Sequence, residues 1–68
     1  MQPHQERVVV EKNELDEKLS KLKGFVFGDG RIFKTLDPEE RNRLEDQFTA
    51  MKKYSDILGA RIAAFKVA

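Results

Sequence analysis

The sequence predicts an all-α protein: a helical hairpin with a short connector, assembling into a compact homo-oligomer. Three observations carry that expectation. Apolar residues recur with helical spacing through both halves of the chain, and a glycine-rich break divides them near the middle. The chain has only 68 residues and no cysteine. A chain this short buries only about 60% of the surface its unfolded form exposes. Without disulfides, a partner subunit is the expected source of extra core. The whole of 1–68 reads as one helical domain, with a helix over about 5–27, a connector over about 28–36 and a helix over about 38–66.

In the first helix Val8, Leu15, Leu19, Leu22 and Val26 fall within one narrow sector at roughly 100° per residue. Pro3 is compatible with the first turn. Val8-Val9-Val10 is β-branched, but its charged flanks continue the helical period, so it is assigned to the helix. Glu14–Lys18 and Glu17–Lys21 are acid-before-base pairs at i,i+4, each expected to add about 0.2–0.5 kcal/mol. Gly28 or Gly30 can supply a left-handed cap where the first helix ends. Ile32, Phe33 and Leu36 are expected to fold back onto the hairpin.

The second helix has the clearest start signal. Asp37-Pro38-Glu39-Glu40 reads as N-cap, N1 proline and capping-box glutamate. Leu44, Phe48, Met51, Leu58, Ile62 and Phe65 form its main stripe, widened on one side by Ala50, Tyr54, Ile57 and Ala64. That sector covers about half the circumference, more than one antiparallel neighbour can cover. A second copy of the chain is the expected second contact.

Composition narrows the function. Charged residues make up 37% of the chain, yet the formal net charge is only +1. A duplex nucleic-acid binder would carry a basic excess. No apolar run suggests a secretory signal or approaches the roughly 20 residues of a membrane span, so residence in the cytoplasm of the producing cell is expected. His4 is the lone histidine, and one imidazole makes no metal site; no cofactor is expected. No Ser–His–Asp, Cys–His, HExxH or phosphate-loop pattern is present, so catalysis is not expected.

The informative polar residues lie beside apolar ones. Arg61 falls between Tyr54, Ile57 and Phe65, where a guanidinium needs an anion, an intersubunit carboxylate or a route to water. Lys18 lies roughly 70° from the centre of the first helix's stripe, and either reaches a phosphate or pairs with Glu14. Ser20 lies roughly 130° away, so one copy of this helix cannot aim Lys18 and Ser20 at the same small ligand. The Gly28–Arg31 loop either offers N–H groups to a phosphate or is only a turn. Tyr54 either stacks on a base or packs in a subunit interface.

The ordered features Glu14-Leu15-x-x-Lys18-x-x-Lys21-Leu22-x-x-Phe25, Phe33-x-x-Leu36, Glu40-Arg41 and Met51-x-x-Tyr54-x-x-x-Leu58-x-x-Arg61-Ile62 extend over nearly the whole chain. This order resembles a family of short phage and prophage helical proteins that includes the anti-CBASS cyclic-oligonucleotide sponges of the second type. CBASS is a bacterial defence in which infection triggers synthesis of a cyclic oligonucleotide that activates a killer effector. The resemblance implies a homohexamer in the host bacterial cytoplasm that binds this messenger without cutting it. It implies cyclic dinucleotides in pockets between subunits, and cyclic trinucleotides in a separate set. It implies Lys18 against the dinucleotide, Ser20 in place of a family threonine, and Arg61 as the late basic residue. The N-terminal tyrosine of such sponges is replaced here by Pro3, with His4 beside it to offer an imidazole for stacking. Two other functions fit the residues alone: a helical adaptor that docks a protein through its apolar face, and a structural or DNA-packaging accessory protein.

Overall fold

The computed structural model describes residues 1–28 and 30–65. The chain folds as a helical hairpin in which α1 (Pro3–Phe27) and α3 (Pro38–Ala64) run antiparallel, with a short helix α2 (Arg31–Thr35) inside the connector. The C-terminal end of the second helix as expected, near Lys66, lies outside the described residues.

Each helix start has a local cause. Pro3 occupies the first turn of α1, where its missing N–H costs no bond. The Gln2 N–H donates to the Gln5 side-chain oxygen at 2.9 Å, satisfying a donor at the helix entrance. Asp37 caps α3 by accepting from the Glu39 N–H at 3.4 Å. Glu40 does not close the expected capping box. Its carboxylate instead accepts from Arg43 Nε at 2.8 Å. The expected Glu14–Lys18 and Glu17–Lys21 pairs are also absent among the described residues. Pairs that do form among the described residues are Lys12–Asp16, Glu40–Arg43 and Lys52–Asp56.

The connector turns on its glycines. Gly28 caps α1 through its N–H to the Gly24 carbonyl at 3.1 Å, and a side chain there would collide with that same carbonyl. Gly30 supplies the left-handed conformation, φ 76°, but as the entry to α2 and not as the cap of α1. Phe33 and Leu36 fold back as expected, whereas Ile32 stays 66% exposed. Edge-to-face pairs Phe25–Phe33 and Phe27–Phe48, at 6.0 and 5.2 Å, close this end of the rod.

The two stripes read from the sequence do face each other, and Val8, Val26 and Leu58 are buried at their centre. The remaining stripe residues are only half-buried. The result is a rod of 50 × 15 × 15 Å with a radius of gyration of 15.2 Å. A compact domain of this length would have a radius near 11 Å. Its accessible surface, 5287 Å², likewise exceeds the roughly 4,400 Å² of a compact monomer of this mass. Val10, Phe27, Ile32, Tyr54 and Ile57 are left exposed. No helix among the described residues is long and apolar enough to cross a membrane.

Candidate functional site

Two antiparallel helices leave two lateral flanks where their edges meet, and the two flanks differ in chemistry. On one flank, Lys12 Nζ donates to Asp16 at 2.7 Å and to the Ser55 hydroxyl at 3.0 Å, and the Ser55 hydroxyl donates to Asp16. Ser55 is 5% exposed, so this cluster ties the helices together through a buried hydroxyl flanked by the partly exposed Lys12 and Asp16. The bonds from Lys12 and Ser55 hold the Asp16 carboxyl below its ordinary range, against the upward push of desolvation. Beside the cluster runs a groove of about 420 Å³, whose lining includes Ser20, Lys23, Phe48 and Lys52.

The helical stripes and charge pairs read from the sequence do not include this cluster. The signal for it was a polar gap. Ser55 sits seven residues from both Phe48 and Ile62, within the α3 stripe, and Lys12 sits between Val8 and Leu19 at helical spacing. A serine and a lysine at core positions that face each other mark a polar tie across the hairpin.

The opposite flank is open. The Tyr54 hydroxyl donates to the Glu11 carboxylate across the two helices, while its ring stays 42% exposed. Val10 and Ile57 are exposed further round, on the outer faces of α1 and α3. Arg61 is exposed on the Tyr54 flank, so one hairpin does not enclose it. A shallow concavity of about 450 Å³ follows the α1 side of this flank and is lined by Pro3, Glu6, Arg7, Val10, Glu11 and Glu14.

The four site residues expected from the sequence are all exposed: His4, Lys18, Ser20 and Arg61. None makes a hydrogen bond or ion pair among the described residues; Lys18 in particular is not paired with Glu14. The hairpin does not bring them together. Lys18 and Arg61 share the Tyr54 flank but lie several turns apart along the rod, and Ser20 lines the groove on the other flank. Asp29, in the Gly28–Arg31 loop read from the sequence as either a phosphate-binding loop or a turn, lies outside the described residues.

Residues 2–64 match the Sequestin family model. The chain belongs to the Sequestin family. No curated protein and no solved structure matches the chain significantly. The name Sequestin accords with sequestration of a molecule.

Proposed function

We propose that this protein sequesters cyclic oligonucleotide second messengers, cyclic di- and trinucleotides, without cleaving them, and so blocks activation of CBASS effectors in an infected bacterial cell. The observation that carries the proposal is that Lys18, Ser20 and Arg61 stand exposed and unpaired on the flanks of a Sequestin-family hairpin. A cyclic oligonucleotide carries one negative charge per phosphodiester and flat bases. Cations and hydroxyls bind the phosphates and aromatic or guanidinium planes stack on the bases, with no bond broken. Homo-oligomerisation, to a hexamer in this reading, completes the pockets. It would bring together groups that one hairpin holds apart, and would cover the apolar surface that one hairpin leaves open. Lys18 then serves the dinucleotide pocket, and Arg61 and Ser20 the trinucleotide pocket.

The test is calorimetry of the assembled protein against a panel of cyclic di- and trinucleotides, with chromatography and mass spectrometry of the recovered ligand. Tight binding and intact ligand are expected. A panel in which nothing binds would overturn the proposal and favour an adaptor that docks a protein partner.

A further inference from the structure

Resting on that reading, we propose that Arg7 joins Arg61 as the second guanidinium of one phosphate clamp, and that Tyr54 supplies the ring on which an adjoining base stacks. The Glu11–Tyr54 and Lys12–Ser55 bonds fix how α1 and α3 lie side by side. Arg7 precedes Glu11 by one turn, about 6 Å along the axis, and Arg61 follows Tyr54 by two turns, about 10.5 Å in the same direction along the rod. The two arginines therefore reach the same end, level to within about one turn. On the helical wheel Arg7 lies about 40° from Glu11 and Arg61 about 20° from Tyr54, so both belong to the open flank.

Both arginines are exposed, and neither has an acceptor among the described residues. Glu11 is the carboxylate one turn from Arg7, but it accepts the Tyr54 hydroxyl and makes no ion pair with Arg7. Two guanidinium groups on facing helix edges repel each other mildly in water, and a bridging anion removes that repulsion. Their planar forks suit the paired oxygens of a phosphodiester.

Tyr54 supplies the second half of the site. Its hydroxyl is anchored on Glu11, so the ring is oriented before a ligand arrives. Arg7 shares the concavity on α1 with Glu6, Glu11 and Glu14, so the paired guanidinium groups, and not the acidic lining, mark where the phosphate sits. The Tyr54 ring, one to two turns along the rod, is left to a base. The ligand class is thus a phosphodiester next to a stackable base, the same ligand that Arg61 holds.

The experiment measures calorimetric affinity for the tightest-binding cyclic trinucleotide of the panel, with light scattering and far-UV circular dichroism on each variant. Arg7→Ala is expected to keep wild-type mass and helicity and to lose roughly tenfold or more in affinity, alongside Arg61→Ala. Arg7→Lys should fall between, since an ammonium lacks the fork. Tyr54→Ala should lose roughly fivefold or more, while Tyr54→Phe keeps most of the affinity. If Arg61→Ala weakens binding and Arg7→Ala does not, the clamp is overturned and the proposed function stands. If Arg7→Ala changes the oligomer mass, Arg7 is a subunit contact and the clamp is overturned. If the wild-type protein binds no panel member, it is the proposed function that fails, whatever the variants do.

Discussion

The two flanks of the hairpin are built from similar residues and put them to opposite use. On the Ser55 flank a lysine, an aspartate and a serine satisfy one another across the helices. On the Tyr54 flank one hydroxyl–carboxylate bond crosses the helices, and the cations around it are left without partners. A polar group at a helix edge can tie the hairpin together or stay available for something else, and the same group does not do both. The flank with unpaired arginines beside exposed apolar residues is where a ligand or a second copy has most to gain.

The largest effect that sharpens this comparison comes from the shared core beneath both flanks. Leu58 has no exposed surface, and Leu58→Ala should cost about 2–5 kcal/mol in thermal or denaturant unfolding. In so small a core that loss would dissolve both flanks together, and near-wild-type stability would mean that the hairpin is held mainly by other contacts. Next in size, Arg61→Ala should weaken trinucleotide binding by roughly tenfold, about 1.4 kcal/mol, with little change in unfolding. Lys18→Ala should do the same to dinucleotide binding. Equal losses for both ligands in both variants would remove the separation into two kinds of pocket.

Ser55→Ala should act in the reverse sense, lowering stability by about 1 kcal/mol while leaving ligand affinity unchanged. A loss of affinity there would extend the pocket that Ser20 serves as far as the Ser55 cluster. The smallest effects concern the neighbours of that cluster. Gly59→Ala gains up to about 1 kcal/mol of helix propensity, and the added methyl meets only the flexible Lys12 side chain at 3.3 Å. A net gain in melting temperature is expected, and a loss would show that Lys12 is held rigidly. Asp16 gives the pH signature. Its folded pKa is lowered from 3.8, so its contribution is present above that value and disappears as pH falls through the lowered one. Stability measured from pH 6 down to pH 3 should fall more steeply in the wild type than in Asp16→Asn.

Much of the architecture was legible from periodicity. The stripe through Val8, Leu15, Leu19, Leu22 and Val26, and the one through Leu44, Phe48, Met51, Leu58, Ile62 and Phe65, are the surfaces that meet. The signals that failed were those with several local solutions. Glu40 can reach back to a cap or forward to Arg43, and Gly30 can end one helix or begin the next. The Ser55 cluster was hidden because a polar residue within a stripe reads as a blemish until a partner is known to face it.

Spacing along a single chain is enough to fix the helices, the break between them and the apolar surface in excess of one hairpin. Which polar groups are paired and which are free emerges only when the two helices dock. Pairing depends on the register between two helices, and a shift of one residue turns a side chain by about 100° and would exchange the partners on both flanks.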